Sequence, residues 1–223
     1  MADIKVLSFD LDDTLWPVGP AIAAAERAVY DWLREHCPQA VASHSIESMR
    51  GLRGALAERF PERRHDLTFL RHRALSEQLA QAGYAQAHAD DAFEVFFAAR
   101  NRVVLYEDVA PALARLRKRY RLFALSNGNA DLHRCGVAHW FDGHVNAQSA
   151  GAPKPDARIF AELVRVAGVA PRQILHVGDD PHADVVGARQ ARLAAVWVRR
   201  HAQAWPRELG EPPRTISALH ELD

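Results

Sequence analysis

Apolar residues fall along this chain in two kinds of pattern. Short dense runs, β-branched or aromatic in character, occur at residues 4–9, 121–125, 174–177 and 194–198. Their length predicts buried strands rather than helices. Residues 141–146 predict a shorter one. Between the later runs the apolar positions recur at helical spacing. Leu113 and Leu116 mark a helix over 111–119. Ile159, Phe160, Leu163, Val164 and Ala167 form one stripe over 156–168, with Gly168 as its stop. Another helix is predicted over 184–192. Strand alternating with helix predicts an α/β fold with a doubly wound parallel sheet.

Residues 17–105 break that rhythm. They are rich in Ala, Leu, Arg and Glu. Amphipathic helices are predicted over 22–35, 45–60, 66–82 and 89–102, with Ser45 and Asp66 as helix starts. No strand-like run interrupts them. The expected organisation is a core of residues 1–16 and 106–223 with an inserted all-helical cap of residues 17–105. Pro206, Pro212 and Pro213 predict a tail that wraps the surface and closes with a short element at "TISALHEL".

Composition narrows the classes. Hydrophobic residues make up 48% of the 223, enough for a packed core, which argues against general disorder. Lys+Arg and Asp+Glu balance at 28 each. That leaves no global field to attract a nucleic acid polymer or an acidic membrane surface. Cys37 and Cys135 are far apart and form no C-x-x-C pair, so reduced thiols are expected. The N-terminal residues lack the basic start and unbroken apolar segment of a signal peptide. No run reaches the length of a membrane span. A cytoplasmic protein, monomeric or weakly homodimeric, is the expectation. The twelve histidines make no H-E-x-x-H spacing. His176, inside a strand, is read as a satisfied core residue. The arginines at 50, 53, 59, 63, 64, 71 and 73 are read mainly as a solvated helix face.

Ligands of open α/β sheets bind beyond the carboxyl ends of the strands. The residues at those ends are Asp10, Asp12, Asp13 and Thr14 after the first run, and Ser126 and Asn127 after the second. Gly178, Asp179, Asp180 and Asp184 follow the third. Lys154 stands between two prolines just before a helix. Carboxylates gathered this closely repel one another unless a hard dication sits among them. Mg²⁺ takes oxygen ligands and is usually held by one or two carboxylates together with substrate phosphate. Asp10 and Asp179 are natural ligands for it. Lys154 offsets part of the remaining charge, and the Ser126 hydroxyl with nearby backbone N–H groups can receive phosphoryl oxygens. Asp13 reads as a polar turn residue. Thr14 is suited either to capping its turn or to a phosphate contact, and Asn127 either to phosphate or to shaping its turn. Trp16 is a candidate wall of the site, a hinge, or simple core.

Asp-x-Asp-x-Thr, then Ser-Asn, then Lys-Pro, then Gly-Asp-Asp-x-x-x-Asp, in this order, resembles the haloacid dehalogenase superfamily. The resemblance covers residues 1–16 and about 105–200, and the helical insert falls where that superfamily places its first type of cap. It implies Asp10 as a nucleophile that forms an aspartyl-phosphate. It implies Asp12 as the acid and then the base, with its backbone carbonyl on Mg²⁺. Ser126 and Lys154 would bind the phosphoryl group, joined by Thr14 and Asn127. Asp179 would complete the metal site, with Asp180 and Asp184 supporting it; many relatives carry Ser where Asp180 stands. Asp12 favours a phosphatase of small phosphate esters, because dehalogenases typically lack the second aspartate. Dehalogenation of 2-haloacids, sugar-phosphate mutation and non-catalytic binding are the alternatives. "LSNGNA", "ILHVGDD" and the stretch "HDLTFLRHRALSEQLAQAGY" are similar to bacterial members that act on flavin mononucleotide and on 5-amino-6-(5-phospho-ribitylamino)uracil.

Overall fold

The computed structural model describes residues 3–42 and 44–222. They form two compact units. One comprises residues up to 17 together with 104–128 and 136 onward; the other comprises 18–103 and 129–135.

The first unit is built on a six-stranded sheet. The strands are β1 (Val6–Phe9), β2 (Arg121–Ser126), β3 (Gly143–Asn146), β4 (Ile174–Gly178), β5 (Ala194–Val198) and β6 (Arg214–Ile216). Their order is β3-β2-β1-β4-β5-β6, and every neighbouring pair is parallel. β1 is fully buried along its length, as a central strand of a sheet covered on both faces should be. Phe9 lies level with Ala124 of β2 and Val177 of β4. This register brings the residues after β1, β2 and β4 to one carboxyl edge. The start of the short element expected at "TISALHEL" falls in a sixth strand, β6, in which Arg214 to Ile216 pair with Val196 to Val198 of β5.

Helices pack on this sheet because their apolar stripes need covering. Ile159, Phe160, Leu163 and Ala167 of α8 (Ala157–Ala167) pack with Val6, Phe123, Leu125 and Val145. Asp156 caps this helix by accepting from the Arg158 amide, and Gly168 ends it in the left-handed conformation at φ 65°. In chain order the helices are α1 (Val18–His36), α2 (Pro38–Val41), α3 (Ile46–Arg59), α4 (Leu67–Gln81), α5 (Gln86–Arg100), α6 (Val109–Leu116), α7 (Ala147–Ala150), α8 and α9 (Gly187–Gln190). The helix expected over 184–192 is a wider-turned π segment, Pro181–Val186, running into α9.

The second unit is helical. Ala25, Val29 and Leu33 of α1 pack with Leu75 and Leu79 of α4 and with Ala89, Ala92 and Phe96 of α5. Ser45 and Asp66 do start α3 and α4, accepting from the Ser48 and Phe69 amides. Residues 129–135, read from the sequence with the sheet, group with this unit instead. The reason is polar: the Asp131 amide donates to Asn101 Oδ1 at 2.8 Å, Arg100 Nε to Asn129 Oδ1 at 3.2 Å, and Arg134 pairs with Glu94 at 2.5 Å. Among the described residues no helix is long and apolar enough to cross a membrane.

Candidate active site

The sheet unit gathers a buried ionic cluster at its carboxyl edge. Asp10 follows β1 directly, and its amide donates to the Val177 carbonyl at 2.9 Å, which fixes it against β4. Lys154 Nζ donates to Asp10 Oδ1 at 2.5 Å, to Asp184 Oδ1 at 2.6 Å and to the Leu125 carbonyl at 2.9 Å. All three donors of the ammonium are thereby engaged inside the protein. Asn127 holds the lysine from behind: its Oδ1 accepts from the Lys154 amide at 2.6 Å and its Nδ2 donates to the Lys154 carbonyl at 3.0 Å. Ser126 is buried at the end of β2, and its Oγ accepts from the Gly128 amide at 2.9 Å.

Asp179 is held from two sides. Thr14 Oγ1 donates to its Oδ1 at 2.8 Å, and Trp197 Nε1 donates to its carbonyl at 2.7 Å. Arg200 in turn donates Nε and Nη2 to the Thr14 carbonyl at 3.0 and 2.9 Å. Asp12 accepts at Oδ1 from the fully buried Trp16 indole at 2.8 Å. Asp13 takes the turn, with φ 59° and its amide donating to the Trp16 carbonyl. Asp180 caps the segment that follows it, accepting from the His182 and Ala183 amides. Its own amide donates to Asp184 Oδ2 at 2.9 Å. His176 is a satisfied core histidine whose partners belong to the site: Ser8 Oγ at 3.1 Å and Asp184 Oδ1 at 3.0 Å.

Charge does not balance within this cluster. Asp10, Asp179 and Asp184 each offer an oxygen, and these lie within 4.8 Å of one another. Lys154 is the cation between two of them. Burial tends to raise the Asp184 pKa, but Lys154 and the His176 hydrogen bond overrule it and hold the carboxyl well below its usual range. Lys154 is pushed up against its own burial by Asp10 and Asp184. Burial pushes Asp10 up, with Asp184 and Asp179 adding repulsion that Lys154 only partly relieves. Asp179 rises to about 7, through burial first and then Asp184. The surplus negative charge and the all-oxygen donor set fit a hard dication.

Every residue singled out at the strand ends is thus brought to this edge. Asp10, Lys154, Asp179 and Asp184 meet directly. Asp12 and Thr14 reach Trp16 and Asp179, Asn127 reaches the Lys154 backbone, and Asp180 serves as a helix cap. The supports by Trp16, Asn127, His176, Trp197 and Arg200 escaped the sequence reading. Thr14 and Asp179, for instance, stand 165 positions apart, and no local pattern announces such a pair.

A family model described as haloacid dehalogenase-like hydrolase matches residues 4–192, which include the whole cluster. The chain belongs to the haloacid dehalogenase-like hydrolase family. Over 98% of this chain it is 34% identical to 5-amino-6-(5-phospho-D-ribitylamino)uracil phosphatase YigB of Escherichia coli, 94% of which is covered. It is 31% identical over 98% of both chains to a glyceraldehyde 3-phosphate phosphatase of Methanopyrus kandleri. A crystal structure of a 2-haloacid dehalogenase from Pseudomonas syringae superposes with a TM-score of 0.92 at 38% identity, over 98% of this chain and 96% of that one. These relatives differ in the bond they are named for breaking.

Proposed function

We propose that this chain, a phosphatase of the haloacid dehalogenase-like family, hydrolyses a small phosphomonoester through an aspartyl-phosphate on Asp10, with Mg²⁺ as its metal. The observation that carries this reading is the Lys154 bridge between Asp10 and Asp184 beside a second aspartate, Asp12. Lys154 favours the ionised, nucleophilic form of Asp10 against the burial that opposes it. The Asp10 oxygen attacks phosphorus and the ester P–O bond breaks. Asp12 gives its proton to the leaving oxygen, then takes one from the water that attacks the acyl phosphate. Inorganic phosphate leaves and Asp10 is restored. Asp10, the Asp12 carbonyl and Asp179 would hold a dication, which would supply charge neutralisation for the phosphoryl oxygens. Ser126 orients that group, and Lys154, whose donors are engaged by Asp10, Asp184 and the Leu125 carbonyl, supplies positive charge beside it. Thr14, Asp180 and Asp184 act by holding Asp179 and Lys154 in place. The helical unit is assigned the role of a cap that selects substrate.

Similarity to YigB along nearly the whole chain favours 5-amino-6-(5-phospho-D-ribitylamino)uracil as the substrate; the resemblance carried by "LSNGNA" and "ILHVGDD" adds flavin mononucleotide as a candidate. Phosphate release with Mg²⁺ is to be measured on both compounds, on nucleoside monophosphates and on sugar phosphates. Preference for the first two is expected, and Asp10→Asn should abolish release from all. A preference for sugar phosphates removes the substrate assignment alone. Near-normal turnover by Asp10→Asn removes the nucleophile.

A second reading is favoured by the 2-haloacid dehalogenase structure, which is 38% identical. There Asp10 would attack carbon and displace halide, a leaving group that needs no proton, so Asp12 would have no task. Halide release from 2-haloacids without added metal would support it.

A further inference from the structure

The helical unit contains a cluster outside the chemistry described above. Glu26 of α1 is buried, with 4% of its side chain exposed. Arg50 of α3 takes one of its oxygens, Oε2, with Nε at 2.7 Å and Nη2 at 2.5 Å. The other oxygen, Oε1, accepts no hydrogen bond. Arg53 Nη1 stands 3.5 Å from it and Arg71 Nη2 3.8 Å. Three guanidinium groups therefore surround one buried carboxylate; the exposed Glu47 acts on Arg50 as well, which leaves Arg53 and Arg71 to share what remains of Glu26. Among the described residues neither Arg53 nor Arg71 makes another ion pair.

Burying Glu26 requires one good partner, and Arg50 already provides a two-pronged one. The other two are placed but not bonded. Arg71 is 14% exposed, and its guanidinium carbon sits over the Phe96 ring, 3.5 Å from the centroid. Placement over a ring face holds the guanidinium without using its N–H donors. Burial first, then repulsion from Arg53, brings the Arg71 pKa down to about 9, even though Glu26 opposes that shift. A cation held under such tension gains from any anion that arrives. Arg53 is 27% exposed, so the cluster is open to solvent on one side.

We propose that Arg53 and Arg71, with Arg50 and Glu26 beside them, form an oxyanion site in the helical unit that takes a phosphate-type dianion. Two guanidinium forks match the several oxygens of a dianion. Inorganic phosphate and an organic phosphate share this chemistry.

The test uses full-length protein labelled with ¹⁵N-arginine, whose Nε–Hε resonances are followed during titration with inorganic phosphate. A second titration uses phenylphosphonate, an organic analogue that a phosphatase cannot hydrolyse. Saturable shifts of Arg53 and Arg71 are expected, with tighter binding of phenylphosphonate if the source is an organic phosphate. Arg53→Met should weaken binding about tenfold, in line with the loss of a charged hydrogen bond. Glu26→Gln should tighten it about tenfold by removing the competing charge. A purely structural ion-pair role predicts no binding for Glu26→Gln to enhance. The proposal is overturned if the Arg53 and Arg71 resonances stay fixed at phosphate concentrations that saturate the Lys154 site. Should Glu26→Gln not fold, the wild-type and Arg53→Met titrations decide the matter by themselves.

Discussion

Lys154 Nζ lies 2.5 Å from Asp10 Oδ1, and both side chains are buried. The same ammonium reaches Asp184, so a single lysine stabilises two carboxylates. Lys154→Met should therefore act on both activity and stability. Leaving buried carboxylates unpaired costs about 3–5 kcal/mol, and the loss of a charge aimed at the proposed nucleophile should lower kcat at least roughly 100-fold. Urea unfolding and steady-state phosphate release check the two effects. Wild-type stability in the variant would show that the pair is not a structural element.

Trp16 donates to Asp12 across one tight turn. Trp16→Phe keeps most of the buried ring and removes the donor. A hydrogen bond of this kind is worth about 0.5–1.5 kcal/mol, so kcat should fall roughly two- to tenfold. If Asp12 transfers the proton as proposed, KM should barely change, because Trp16 then holds that group and not the phosphate. A change confined to KM would contradict this placement.

Gly178 closes β4 beneath Asp184. A Cβ there would fall on the Asp184 side chain. That carboxylate is fixed by Lys154, His176 and the Asp180 amide and has no room to retreat. Gly178→Ala should lower stability by about 1–3 kcal/mol through overpacking and reduce activity with it. Calorimetry and turnover on the same sample give the comparison. An unchanged melting temperature would mean that Asp184 yields more easily than its bonds suggest.

Arg200 donates to Asp108 Oδ1 at 2.7 Å, and the Leu219 amide donates to Oδ2 at 2.6 Å. Burial tends to raise the Asp108 pKa, but these bonds overrule it and hold the carboxyl below its usual value. A depressed folded-state pKa stabilises the protein above the unfolded value, near pH 4, and the contribution fades as pH falls through the folded value. Asp108→Asn should cost about 1–3 kcal/mol at neutral pH. The gap to wild type should stay level down to about pH 4 and close below it. Urea unfolding of both proteins at several pH values reads this directly, and a gap independent of pH would remove the charge from the explanation.

Much of this was legible in advance because it is local. The apolar runs announced β1, β2, β4 and β5, since a strand buried on both faces must be apolar throughout. Gly168 announced the end of α8 because end groups need partners wherever the helix lies. Asp10, Ser126, Lys154 and Asp179 could be named because ligands gather at strand ends. β6 was hidden because a three-residue strand leaves no periodicity to read. Residues 129–135 were misplaced because their partners, Asn101 and Glu94, belong to distant helices.

By itself the sequence determined which residue types could do chemistry and in what order the chain delivers them to the sheet edge. Only the tertiary structure decided which of them touch. It set one lysine between two carboxylates, gave Asn127 to the Lys154 backbone instead of leaving it a turn residue, and turned a core histidine into a support for Asp184. The physical reason is range. Secondary structure and capping depend on neighbours a few positions away, whereas hydrogen bonds between Thr14 and Asp179 or Ser8 and His176 exist only once strands far apart in sequence lie side by side.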